Sequence, residues 1–369
     1  MKNDAPSPRQ LMHQLKRLSG NVMAQHSLDL SGLTVYTEAA TGSYSVTPCL
    51  AALAGARVIA LAQDSAWGDA REAADYVQRC AEFFGIRNSL EIVFAKLPED
   101  LAQADIITNS GHVRPLDAAV IKSLKSTAVI PMLWETFEWR PYELDLDACK
   151  ARGILVMGTD ENRLEFFPYA SEMLIKLLHR AGIAVYHGHF LCLGTGPVMD
   201  ATCMYMERLG ANIVRAAWDY PINSTATCGG KIDIQNEDFL ASLDAVICDE
   251  RTDTRILLGS PGLLSPELLA KANPSCVVIN RHGMVSEEEL LISGLVCIPS
   301  ASSAKWQSPH VTSASIGVRP VVELMAAGLA VGAAMSRARL AGLELEESAR
   351  YALSHSCAQD LLPPYNWLL

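Results

Sequence analysis

The chain is predicted to be an α/β protein built on two doubly wound, largely parallel sheets. Three observations carry this. Short apolar runs alternate with helix-period segments along almost the whole chain. A glycine-rich turn joins one such run to one such helix near the middle. The length of 369 residues corresponds to about two domains of ~150 residues. A short apolar strand followed by an amphipathic helix is the repeating unit of a parallel sheet covered on both faces.

In chain order, a polar helical segment leads to a buried strand at residues 33–36, the turn Thr41-Gly42-Ser43 and an apolar helix ending near residue 54. A strand at 57–61, a helix at 69–84, strands at 90–94 and 105–108, a helix at 116–124 and a strand at 128–132 follow. A second series begins near Phe190 and continues with strands at 212–216, 245–248, 276–279 and 296–298. The helical stretches 169–180 and 318–340 flank it and are long enough to cross between domains. The expected division is a first domain at 1–165, completed by 330–369, around a second at 166–329.

Composition narrows the function. Half of the residues are hydrophobic and 19% are charged, so the chain can fill a sizeable core. A net charge of -11 lacks the basic footprint that phosphate backbones demand, which argues against nucleic acid as a partner. Residues 1–6 are polar and contain Pro6, unlike an export signal. The apolar run 324–335, between Glu323 and Arg337, reads as too short for a bilayer. The ten cysteines contain no C-x-x-C pair and read as free thiols in a cytoplasmic protein. His187-Gly188-His189 lacks a nearby third ligand, so no metal is expected.

The most informative segment is Phe190-Leu191-Cys192-Leu193-Gly194-Thr195-Gly196-Pro197-Val198-Met199, a strand entering a G-x-G turn and then a helix. In a dinucleotide-binding (Rossmann) turn the first glycine permits the tight bend, and the second lets backbone approach a pyrophosphate. The helix N-terminus supplies unpaired N–H groups. Gly194, Thr195, Gly196, Pro197 and Val198 are the candidate cofactor-binding residues, with Met199 where a third glycine would stand. Asp219 is the nearest acid for an adenosine ribose, and Arg215 could instead meet a 2'-phosphate, so NAD and NADP both stay open.

Residues 144–328 resemble the D-isomer-specific 2-hydroxyacid dehydrogenases. The resemblance is carried by Asp145-Leu146-Asp147-Ala148 through Gly153-Ile154-Leu155-Val156, Ala170-Ser171-Glu172, the glycine turn, Asp253-Thr254-Arg255, Val277-Val278-Ile279-Asn280-Arg281-His282-Gly283 and Ser308-Pro309-His310-Val311. It implies a flavodoxin-like substrate domain, a Rossmann domain holding NAD or NADP, and commonly a homodimer. The small-residue helix at 321–335 is the expected two-fold contact.

The resemblance also implies a histidine that moves a proton, an arginine that binds the substrate carboxylate and a glutamate that tunes the histidine. His310 matches the first. The family's N-x-x-R-G is one residue shorter here, so either Arg281 or His282 takes the arginine's place. The partner glutamate has no match, and Leu133-Trp134-Glu135-Thr136-Phe137-Glu138-Trp139 stands where the family has an open glycine-rich loop. Trp134 and Glu135, together with His112 and Arg114 in the polar loop after the strand at 105–108, are the candidate substrate-binding residues. Thr37, Glu38 and the hydroxyls of Thr41-Gly42-Ser43-Tyr44 form a similar loop after the first strand.

The expected function is an NAD(P)-dependent oxidoreductase of a small oxo or hydroxy compound with non-standard catalytic residues. Two alternatives are a lyase, hydrolase or epimerase that oxidises its substrate transiently, and a dinucleotide-binding homologue without catalysis.

Overall fold

The computed structural model describes residues 7–65, 68–224, 233–299 and 312–368, the side chains of 220–224 excepted. The chain divides into two compact units, Met1–Leu164 with Gly317–Leu369, and Glu165–Ile316. The return to the first unit thus falls at Gly317 and not at 330.

The first unit runs α1 (Pro8–Gln25), β1 (Thr34–Glu38), α2 (Val46–Leu53), β2 (Arg57–Leu61), α3 (Ala70–Phe84), β3 (Leu90–Val93), α4 (Pro98–Leu101), β4 (Ile106–Ile107), α5 (Ala118–Ser123), β5 (Val129–Pro131), α6 (Leu146–Arg152) and β6 (Leu155–Thr159). The second unit runs α7 (Phe167–Arg180), β7 (His189–Leu193), α8 (Pro197–Arg208), β8 (Asn212–Ala217), β9 (Tyr220–Ser224), α9 (Glu237–Ala241), β10 (Ala245–Asp249), α10 (Pro266–Ala272), β11 (Val277–His282), α11 (Glu287–Ser293) and β12 (Val296–Ile298). Then α12 (Arg319–Leu340), α13 (Leu345–His355) and β13 (Ala358–Gln359) complete the first.

The helix boundaries follow local chemistry. Asp69, Asp145 and Ser286 cap α3, α6 and α11 by accepting a backbone N–H from the first turn, and a left-handed glycine ends each.

The first sheet has the order β13-β6-β5-β4-β1-β2-β3. It is parallel except for β13, which pairs antiparallel with β6. About β1 this is the flavodoxin-like arrangement with β3 added beyond β2. One face buries Tyr36, Ile59, Ile107, Ile130 and Val156 against Ile121, Leu124, Leu146 and Cys149 of α5, α6 and the turns beside them. On the other face α12 lies against β4, β5 and β6 and touches α1, α2 and α13.

The second sheet has the order β12-β11-β10-β7-β8-β9, parallel except for β9. Its two faces bury Phe190, Ile213, Ile247 and Ile279 with α7 and α8, and Leu191, Val214, Val246 and Val278 with α9, α10 and α11. This is the expected α/β class, with one antiparallel edge on each sheet. Because β8 turns straight back into β9 as a hairpin, no helix crosses over on that side of β7.

Two expectations about α12 change. The helix is 22 residues and apolar enough to cross a membrane by length and composition, although the run 324–335 reads as too short. Of its apolar window, 78% is buried within the protein, as in the central helix of an α/β core. Nor is its small-residue face left for a two-fold contact. A Cβ on Gly328 would lie 2.4 Å from Leu133 Cδ2, and one on Gly332 would lie 3.0 Å from Ile106 and Pro131. The glycines let α12 approach the first sheet.

The nine cysteines among the described residues are free thiols, seven of them buried. Cys228 lies outside the described residues.

Candidate functional site

The second sheet concentrates polar side chains at the carboxyl ends of β7, β10 and β11. Since β7 pairs β8 on one side and β10 on the other, connections leave its end in opposite directions, and such a switch point opens a crevice for ligands.

The two glycines of the turn do different jobs. Gly194 has φ +131°, and a Cβ there would sit 2.1 Å from the carbonyl oxygen of Asp249. It exists for close backbone packing. Gly196 has φ +89° and nothing within 4 Å of its Cβ position. It caps the twelve-residue α8 without a side-chain hydrogen bond, and Pro197 follows at the first position. Pro197 has no N–H to offer, so Val198 and Met199 carry the first-turn N–H groups at this positive helix end. The Met199 side chain is fully buried in the α7–α8 core.

Glu250, just after β10, is the residue that sequence reasoning missed. Its carboxylate accepts the Thr195 N–H at 2.9 Å and hydroxyl at 2.6 Å. It also accepts the Thr252 N–H at 2.9 Å and hydroxyl at 3.0 Å, and the Asp253 N–H at 3.1 Å. Burial pushes this carboxyl up, but the hydrogen bonds from Thr195, Thr252 and Asp253 outweigh it and hold it below the usual carboxylate range. Glu250 therefore ties the glycine turn to the loop after β10 as a permanent anion. Nothing local marks it, because its donors in the glycine turn lie 55 residues upstream.

Glu250→Gln is expected to loosen this tie. Both carboxylate oxygens accept, and an amide nitrogen would face N–H donors. We expect a stability loss of about 2 kcal/mol, read by urea denaturation. An unchanged midpoint would contradict the role.

The pairing of β10 with β11 shifts register here. Cys248 opposes Asn280 and Asp249 opposes His282, so Arg281 is the extra residue of a bulge. Its guanidinium meets the Asp249 carboxylate through Nε and one terminal nitrogen, with Arg281 3% exposed and Asp249 0%. Arg281 is thus spent on a buried ion pair and is corrected as a substrate clamp. His282 donates Nδ1–H to the Glu250 carbonyl at 2.9 Å, which leaves Nε2 as the acceptor nitrogen. Burial holds this imidazole below its usual range, so it is neutral at pH 7.

Arg215 on β8 donates to the Gly194 carbonyl at 3.2 Å and pairs with Asp200 of α8. Asp219 lies in the β8–β9 turn with φ +57°, 2.8 Å from Arg255. Arg255 also pairs with Asp253 at 2.6 Å and stands over the Trp218 ring at 5.1 Å. His310 lies outside the described residues. Among the described residues no three His, Cys, Asp or Glu side chains gather for a metal.

In the first unit, His112 donates Nε2–H to the Ala39 carbonyl at 3.1 Å. Arg114 pairs with Glu143 at 2.8 Å and lies 5.3 Å from the centre of the Trp134 ring. The expected open role of Trp134 and Glu135 is corrected. Their segment is drawn into the unit, with the Leu133 N–H donated to Asn109 at 3.1 Å and the Thr136 N–H donated to Gln359 of β13 at 3.0 Å. Trp134 packs on the core and Glu135 is buried. The backbone donors of an open loop are taken.

No family model and no curated protein matches the sequence. Solved structures do resemble it. A dipicolinate synthase structure from Bacillus halodurans has 12% identity and a TM-score of 0.50 over 82% of this chain and 96% of that one. A dipicolinate synthase structure from Bacillus subtilis has 11% identity and a TM-score of 0.52 over 85% and 99%. D-Lactate dehydrogenase with NAD+ from Lactobacillus jensenii has 12% identity and a TM-score of 0.49 over 83% and 97%. At these identities the likeness is one of fold, and it is at that level that the motif resemblance holds.

Proposed function

We propose that the second unit binds a nicotinamide dinucleotide, its pyrophosphate at the Gly194–Gly196 turn, and that the protein is an oxidoreductase of a small oxo or hydroxy compound. The observation that carries this is the open Cβ position of Gly196 at the uncapped N-terminus of α8. A backbone without side chain, facing free space at a positive helix end, is what a phosphate needs for close approach. The site fits the group, with Val198 and Met199 N–H as its donors and Gly194 keeping the turn tight.

NAD is the favoured nucleotide. Arg255 is held between Asp219 and Asp253, and Arg215 by Asp200 and the Gly194 carbonyl. Neither guanidinium is left to meet a 2'-phosphate. The exposed Asp219 carboxylate suits a ribose diol and repels a phosphate.

When bound, the dinucleotide supplies the hydride acceptor or donor. The chain supplies His282, a neutral imidazole whose Nε2 can take the proton of a substrate hydroxyl as hydride leaves. With Arg281 buried on Asp249, no permanent cation on β11 clamps a substrate carboxylate. This favours recognition by hydrogen bonds over a bidentate ion pair.

Calorimetric titration of the nucleotide-stripped protein tests the reading. Micromolar NAD(H) binding is expected, with NADP(H) at least about tenfold weaker, a difference of ~1.4 kcal/mol. Gly196→Ala should remove most of the affinity at little cost in stability, since its Cβ meets nothing within 4 Å. No binding of any dinucleotide overturns the proposal, and tighter NADP(H) binding overturns the preference.

A further inference from the structure

The first sheet has a switch point of its own, at β1 between β2 and β4, and a buried carboxyl stands there. Glu38 ends β1 and is 5% exposed. It is hydrogen-bonded by the Ser110 side chain and the His112 backbone N–H, both in the loop after β4. The Ser110 hydroxyl is 2.9 Å from the Thr108 hydroxyl, which donates to the Thr37 hydroxyl at 2.8 Å. The loop is shaped around the carboxyl. Gly111 has φ +40°, and a Cβ there would lie 1.4 Å from Glu38 Oε2.

We infer that the carboxyl ends of β1 and β4 form a second ligand site, in which Glu38 exchanges a proton with the oxygen of a small neutral hydroxy or oxo compound. Every residue involved lies in the first unit, so the inference stands without the dinucleotide reading. Core packing does not require a carboxyl here, and an uncharged residue would avoid the cost of burying one. A carboxyl at a sheet's switch point, held by two donors against a glycine that leaves it room, is instead arranged for exchange. In the acid form its O–H donates to a ligand carbonyl. In the carboxylate form it accepts from a ligand hydroxyl, so one proton moves and no electrons do. The burial that disfavours the Glu38 charge disfavours a charged ligand group equally, which selects a neutral oxygen.

Burial pushes the Glu38 carboxyl up to about 7 against the lowering by Arg114, the Ser110 hydroxyl and the His112 N–H. The ionisable groups on the elements around it are His112 and Arg114 on the β4 loop, the latter paired with Glu143. Tyr44 stands in the turn before α2, Cys49 on α2, and the paired Arg319 and Glu323 in the first turns of α12.

The test is amide NMR of the full ¹⁵N-labelled chain titrated with hydroxyacetone, a neutral probe carrying both a hydroxyl and a carbonyl. Shifts are expected at Gly111 and His112, with an apparent affinity that changes around pH 7. Glu38→Gln should abolish the pH dependence and weaken binding about tenfold. Ser110→Ala, a milder change should Glu38→Gln misfold, should move the midpoint upward, because the lost hydrogen bond favours the charged form. Absence of shifts at these amides overturns the inference. So does a pH dependence that survives Glu38→Gln, which would belong to His112, or a midpoint that Ser110→Ala leaves in place.

Discussion

Replacing Gly194 by alanine is expected to cost the second unit about 4 kcal/mol and to abolish dinucleotide binding, from two costs of ~1–3 kcal/mol each. The new Cβ would stand 2.1 Å from the Asp249 carbonyl oxygen and 2.8 Å from its carbonyl carbon. Both are backbone atoms, so no side-chain rotation relieves the collision. Asp249 is held by β10–β11 pairing and by Arg281, and so cannot recoil cheaply. The residue must also keep φ +131°, outside the regions open to alanine. Gly196→Ala is the comparison, since only its φ of +89° is strained, at a cost of ~1–2 kcal/mol. Urea denaturation of the two variants separates packing from ligand access. Equal stability losses would show that Gly194 is not the packing residue.

Arg281→Ala is expected to cost about 3–5 kcal/mol, because it leaves the buried Asp249 carboxylate without its cation. Removing both charges should be far milder. Arg281→Met combined with Asp249→Leu should recover most of the loss, since a buried ion pair contributes little beyond an apolar pair of similar volume. The single variant should also depend on pH. Without Arg281 the folded-state pKa of Asp249 rises above its unfolded value. The deficit is then fully present near neutrality and shrinks as acid protonates the carboxyl, so it should be smaller at about pH 5 than at about pH 7. Denaturation at the two pH values measures this. Unchanged stability with lost affinity for carboxylate compounds would instead return Arg281 to a substrate role.

Much of the fold is legible locally. The strand read at 57–61 coincides with β2, and those at 245–248 and 296–298 match β10 and β12 to within a residue. The strands missed are the two antiparallel edges. β9 carries Pro221, which argues against a strand except at an edge, and β13 has only two residues. The strand read at 105–108 shortens to Ile106–Ile107, although Thr108 continues to bond β1 through the Tyr36 carbonyl.

The candidate site is legible only where its chemistry is local. Alternating apolar runs, the strand-to-helix glycine turn and the placement of loops after strands are properties of short windows. By itself the amino-acid order determined a two-unit α/β protein with a Gly194–Gly196 turn at a strand end. It also left the choice between Arg281 and His282 open, since motif spacing does not reveal a bulge.

Tertiary structure decided the rest. Which strands become neighbours sets which charges meet. Glu250 finds Thr195 because β10 lies beside β7, Arg281 turns onto Asp249 because β11 bulges against β10, and Asp219 is clasped by Arg255 across the β8–β9 turn. Glu38 becomes a buried carboxyl only when the loop after β4 closes over it. Ion pairing and desolvation act through space between residues tens of positions apart, and no local period encodes that distance.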